Sequence, residues 1–112
     1  MGHMTTNGRI IIYVPGSPKG GFHETEKIRK AACRIAERLK LEVEVIQRFD
    51  LSSVWVYFES CEGELIPIYF DYGLHRQEEE VYAKIRNMMF VLSFHPKFSD
   101  LKPIREDVIR IS

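Results

Sequence analysis

Hydrophobic and polar positions divide the chain into six periodic segments, and the first three predict a strand, a helix and a strand. Arg9–Val14 is apolar and β-branched on both faces, which is typical of a central strand. Glu24–Lys40 carries apolar residues at i, i+4, i+7 and i+11, which predicts an amphipathic helix. Leu41–Arg48 alternates apolar and acidic residues, as a half-buried strand does.

The next two segments, Ser53–Ser60 and Glu64–Phe70, predict a hairpin. Its three-residue loop ends in Gly63, for which we expect a left-handed backbone. Pro67 has no N–H to give to a sheet, so its strand is predicted to lie at an edge or to carry a bulge. The loop sets the register, and three apolar pairs then form the core face: Phe58–Ile66, Val56–Ile68 and Val54–Phe70.

A sixth segment, Arg76–Leu92, predicts a second helix with three glutamates in its first turn. Residues 97–112 are predicted to be a docking tail, because they are too apolar to stay in solvent. The spacing from Leu101 to Ile111 favours a helix there, although Val108–Ile111 also fits a short strand.

The order β-α-β-β-β-α, with both helices on one face of a mostly antiparallel sheet, predicts a two-layer α+β domain. The sequence leaves open whether the first helix makes a crossover between parallel strands or a simple return. We assign residues 5–112 to this single domain, because Met1–Met4 is typical of a cloning remnant that carries a second start methionine.

Composition narrows the class of protein without naming a function. The chain has 112 residues, 45% of them hydrophobic, and a formal net charge of zero, which argues against a general polyanion binder. It contains neither an apolar run of membrane-spanning length nor a secretory leader, and its two cysteines are too few for a disulfide scaffold. We therefore expect a cytoplasmic protein with free thiols.

The second face of the predicted sheet is harder to explain than the first. The hairpin register places apolar and aromatic side chains there, namely those of Trp55, Tyr57, Leu65 and Tyr69. Three exposed aromatic rings would exceed the few hundred Å² of apolar patch that monomers normally show. We expect this face to be covered by the C-terminal tail in cis or in trans, by a second copy of the chain, or by a ligand.

Charge is uneven along the chain and suggests an alternative. Residues 19–40 hold seven basic and three acidic residues, whereas residues 41–74 hold one basic and seven acidic ones. Four cations of the first helix form a stripe that could meet nucleic-acid phosphates: Lys27, Lys30, Arg34 and Arg38. The sheet aromatics could also stack bases, but the surrounding glutamates would repel phosphate.

A weaker alternative is a phosphate- or nucleotide-handling enzyme at the Pro15–Gly21 loop, with Lys19 as its cation. The segment matches neither of the two glycine-rich phosphate motifs, so a plain connector is favoured. The available bases, His23, His75 and His95, all lie at predicted element boundaries without a partnered nucleophile. We accordingly assign no catalytic residue, no metal site and no cofactor.

The pattern thus favours a small binding or scaffold module that acts through protein–protein association, most simply as a homodimer, with no membrane partner. Binding of nucleic acid through the first helix is the alternative. An enzyme is the less favoured class.

Overall fold

The computed structural model describes residues 8–16, 21–60, 62–70 and 77–94, without the side chains of residues 21–24. These residues form four strands and two helices in the predicted order. In chain order they are β1 (Arg9–Pro15), α1 (Gly21–Leu39), β2 (Glu42–Arg48), β3 (Trp55–Glu59), β4 (Leu65–Phe70) and α2 (Glu78–Leu92). The protein has the predicted α+β fold.

The strands form one mixed sheet in the order β2-β1-β3-β4. β1 and β2 are parallel, so α1 makes a crossover between them, which answers the question that the sequence left open. β3 lies antiparallel to β1 on its other side, and β4 lies antiparallel to β3 at the edge. The sheet is therefore mostly antiparallel, and β2 and β4 are its two edge strands.

Both helices pack on one face of the sheet and form the core with it. β1 and β3 contribute Ile10, Ile12, Val56 and Phe58, which are all fully buried. α1 buries the predicted stripe of Ile28, Ala32, Ile35 and Leu39, and α2 buries Val81, Tyr82, Ile85, Met89 and Leu92. The predicted Met88 is only partly buried, because Met89 takes the core position.

Local hydrogen bonds explain where the helices begin and end. α2 begins after Gln77, whose N–H donates to the Glu80 side chain at 3.1 Å in a capping box. α1 ends where Lys40 turns left-handed with φ 58°, and the Leu41 N–H then donates to the Ala36 carbonyl at 2.8 Å. None of the described helices is both long and apolar enough to cross a membrane.

The β3–β4 hairpin has the predicted loop. Gly63 is left-handed with φ 88°, and the Ser60 N–H donates to the Glu64 carbonyl at 2.8 Å. The Ser60 hydroxyl also accepts hydrogen bonds from the N–H groups of Glu62 and Glu64. These contacts fix the register at the loop end, where Phe58 pairs with Ile66 as predicted.

Further along the hairpin the predicted register is wrong, because β4 carries a bulge directly after Pro67. Tyr57 pairs with Pro67, but Val56 pairs with Tyr69, so that Ile68 is the extra residue. Both Ile68 and Tyr69 turn to the core side and are buried. Pro67 gave the signal for an edge strand or a bulge, and the structure shows both.

Several predicted features lie outside the described residues and stay predictions. They are the tail at 97–112, most of the loop before α1 with Lys19, the thiol of Cys61, and the side chains of His23, His75 and His95.

Candidate interaction face

The sheet face opposite the helices is the candidate functional site, and we call it the open face. Alternation along the strands assigns its members, since Ile10 and Ile12 point into the core. Its side chains are those of Arg9, Ile11, Tyr13, Glu42, Glu44, Ile46, Arg48, Trp55, Tyr57, Glu59, Leu65, Pro67 and Phe70. Within the described part of the chain, no helix packs on this face.

Four aromatic rings form a continuous row across the open face. Tyr13 meets Tyr57 edge-to-face with ring centroids 5.4 Å apart, and Trp55 stacks beside Tyr57 at 6.0 Å. Phe70 lies 4.1 Å from Trp55 at the far end of the row. Such offset and edge contacts suit the ring quadrupoles, so the rings hold one another in place while they stay half-exposed.

Ile11 lies beneath this row and is only 3% exposed. Its cross-strand neighbours are Tyr57 on β3 and Glu44 on β2. Leu65 continues the apolar surface along β4 and is 43% exposed. The neighbouring side chains of the open face therefore cover Ile11 almost completely, whereas Leu65 leaves part of the apolar surface exposed at the edge.

One end of the open face is acidic. Arg9 forms ion pairs there with Glu44 and Glu59, and its Nη1 lies 2.7 Å from Glu44 Oε1. The hydrogen bond to Glu59 raises the pKa of Arg9 above its usual value. Glu42 is exposed beside this group, so three glutamates face a single arginine.

The opposite end of the open face carries Arg48, which forms a two-pronged pair with Asp50. Its Nε and Nη2 donate to the two Asp50 oxygens at 2.9 and 2.7 Å. The guanidinium carbon also lies 5.4 Å from the Tyr13 ring centroid, within cation–π range. Tyr13, Trp55, Tyr57 and Leu65 line a shallow cleft of about 330 Å³ beside Arg48.

Three of the predicted interface residues, Trp55, Tyr57 and Leu65, lie on the open face as the register indicated. The fourth does not. Tyr69 is 7% exposed and belongs to the core, because the bulge rotates it away from the open face and brings Phe70 there instead. Whether these residues form an interface stays a prediction.

Sequence reasoning also missed Ile11 and Tyr13 as members of this face. The signal was present, since the first strand is apolar on both faces and one of those faces must lie away from the helices. The sequence does not predict that Phe70 lies on this face. Pro67 indicates a bulge, but it does not indicate whether the extra residue comes before or after Pro67 in the chain.

The basic stripe of α1 is interrupted in the structure. Arg34 Nη1 donates to Glu78 at 2.8 Å and to Glu79 at 2.7 Å, and its guanidinium lies 4.3 Å from the Tyr82 ring centroid. The glutamates that begin α2 thus neutralise the middle of the stripe. Lys30 and Arg38 are exposed, and Lys27 is half-buried.

The geometry of the open face suits binding more than chemistry. It offers ring faces, aliphatic carbons and paired ions, all in contact with solvent. Among the described residues, no three His, Cys, Asp or Glu side chains meet to hold a metal ion. Cys33, on the other side of the molecule, is a half-buried free thiol beside Arg29.

Sequence comparison adds no family to this description. No protein-family model matches the chain, and no curated protein matches it significantly.

Proposed function

We propose that this protein is a small association module of the cytoplasm that binds a second copy of itself through the open face and performs no chemistry of its own. The aromatic row carries this proposal. Each such ring brings roughly 150–250 Å² of surface and stays partly exposed, so the four rings form one contiguous apolar patch that a partner can cover. Water would leave this patch when a partner binds.

A second copy can cover this face without bringing the acidic ends together. A two-fold axis presents the same patch twice, so apolar centre meets apolar centre. If the axis ran along the strands, the acidic ends with Glu42, Glu44 and Glu59 would face each other and repel. An axis in the plane of the sheet and perpendicular to the strands places each acidic end over the partner's Arg48 end. We propose this arrangement, in which the strands of the two copies run antiparallel.

The size of the sheet limits the affinity of such a dimer. Four strands about 4.8 Å apart and some 20 Å long offer roughly 400 Å² of flat face. A standard stable interface uses about 800 Å² on each partner. We therefore propose a weak dimer, with a dissociation constant of roughly tens of micromolar, that exchanges partners readily.

Tyr57→Glu tests the proposal, because it places a charge at the centre of the aromatic row. We expect the wild-type mass from light scattering to rise from monomer to dimer between low micromolar and submillimolar concentration. The variant should stay monomeric throughout and keep a cooperative thermal transition. A wild-type protein that stays monomeric over this range would overturn the proposal.

Val91→Glu is the matched control, because Val91 is 61% exposed on α2, on the other side of the molecule. It adds the same charge at an exposed apolar position and should dimerise like the wild type. Equal loss of the dimer in both variants would contradict a role of the open face. Tyr69→Glu is unsuitable here, since it would bury a charge in the core.

A further inference from the structure

A second concave site lies beyond the open face, between the edge strand β4 and α2. This groove has a volume of about 570 Å³, within the roughly 300–1,000 Å³ of small-molecule sites. Its walls come from the end of the hairpin that lies away from the loop, and from one flank of α2. They consist of Trp55, Pro67, Ile68, Tyr69, Phe70, Lys84, Asn87 and Met88.

The bulge in β4 shapes this groove. It turns Ile68 and Tyr69 inward together, while Phe70 turns out against Trp55. The two outward rings lie 34° apart in plane and form one surface at the mouth of the groove. Met88 contributes a flexible, polarisable side chain to the α2 wall of the groove, and such a side chain adapts to planar ligands.

The polar side chains that α2 contributes to the groove offer only donors. Lys84 takes part in no ion pair within the described part of the chain. Glu80, one turn earlier, uses its carboxylate on the Gln77 N–H instead. The Asn87 side-chain oxygen accepts two hydrogen bonds from Arg86, at 3.3 and 3.0 Å, which leaves its NH₂ as the donor group.

We infer that this groove binds a small aromatic carboxylate. The ring system lies against Trp55, Phe70 and Met88, and the carboxylate accepts hydrogen bonds from Lys84 and Asn87. One ammonium and one amide match a single negative charge, whereas a phosphate ester carries more charge than this donor set neutralises. The groove overlaps the proposed dimer contact at Trp55 and along the β4 edge, and it adds the α2 side chains of Lys84, Asn87 and Met88, which the dimer contact does not use.

The probe for this site is 2-naphthoate, with the neutral 2-naphthamide as its matched compound. Trp55 is the sole tryptophan of the chain, so its indole N–H gives a single nuclear magnetic resonance signal. We expect 2-naphthoate to shift this signal and the Asn87 side-chain amide together, with saturation. The amide compound should bind more weakly, because it lacks the charge that Lys84 recognises.

Lys84→Met removes the ammonium and keeps the aliphatic stem. It should weaken 2-naphthoate about threefold to fivefold, the effect of one solvent-exposed ion pair, and leave 2-naphthamide unchanged. Lys30→Met, on the exposed side of α1, is the control and should bind both compounds like the wild type. Equal binding of the two compounds, no saturable shift, or no effect of Lys84→Met would each overturn the inference.

The Tyr57→Glu variant separates this inference from the proposed dimer, because Tyr57 does not line the groove. Because a dimer would cover Trp55 and Phe70 at the mouth of the groove, the monomeric Tyr57→Glu variant should bind 2-naphthoate at least as tightly as the wild type, whether or not the wild type dimerises. Loss of naphthoate binding in Tyr57→Glu would mean that the signal comes from the open face, and would overturn a separate groove site.

Discussion

The helix-covered face of the sheet buries Ile10, Ile12 and Phe58 completely, whereas the open face leaves Tyr13, Trp55 and Tyr57 half-exposed. The same strands supply both faces, so backbone geometry does not cause the difference. The covered face presents isoleucine, valine and phenylalanine, whose side chains have no polar group and need a second layer. The open face uses tyrosine and tryptophan, whose polar groups tolerate water and whose ring faces suit a partner.

Phe58 and Tyr57 are neighbours on opposite faces, and replacing each by alanine should give the largest contrast. Phe58→Ala removes a fully buried ring and should lower the free energy of unfolding by about 3–5 kcal/mol. Tyr57→Ala loses its two ring contacts and should cost about 1–2 kcal/mol. Denaturant titration at low micromolar concentration, where dimerisation adds little, measures both.

Equal losses for the two variants would mean that the open face is covered as thoroughly as the core, and the distinction between the faces would fail.

The helix-covered face could be predicted in detail because its pattern is redundant. The stripe from Ile28 to Leu39 has four apolar positions, so a single misplaced residue cannot move it. The one error on α2 exchanged Met88 for Met89, which are adjacent and equally apolar. The predicted helix starts, Glu24 and Arg76, differ from the observed starts at Gly21 and Glu78. Periodicity does not fix a helix start, and that of α2 is set by the hydrogen bonds of the Gln77 capping box.

The bulge gives the second contrast, between Tyr69 and Phe70. Tyr69→Ala should cost about 3 kcal/mol, because the bulge buries this side chain, and Phe70→Ala about 1 kcal/mol, because its ring is partly exposed. An uninterrupted hairpin register would reverse this order. Denaturation midpoints of the two variants therefore decide directly between the bulged and the regular strand.

The open face could be predicted only in part, for a physical reason. Strand alternation has a period of two, so one extra residue exchanges the faces of everything beyond it. Trp55, Tyr57 and Leu65 lie where the register is unambiguous and were placed correctly. Tyr69 lies beyond the bulge and was not. The interruption of the basic stripe was also out of reach, because Arg34 and Glu79 are 45 residues apart in the chain.

The smallest expected effect on the free energy of unfolding comes from the Arg48–Asp50 ion pair at the rim of the open face. The hydrogen bonds from Arg48 lower the pKa of Asp50 below its usual value of 3.8. A carboxyl whose pKa is lower in the folded state adds stability above its usual pKa, and loses it as the pH falls through the folded value. Asp50→Asn removes this contribution, so we expect the variant to be slightly less stable at neutral pH.

The difference between wild type and Asp50→Asn should therefore shrink as the pH falls below 3.8, and should also shrink in high salt. Denaturation midpoints at neutral and acidic pH measure it. A difference that persists in acid would mean that Asp50 acts through packing rather than charge. Because both side chains of this pair are largely solvated, the effect stays small. The pair's main consequence is then to orient Arg48 over Tyr13, where the proposed antiparallel dimer brings the acidic end of the partner copy.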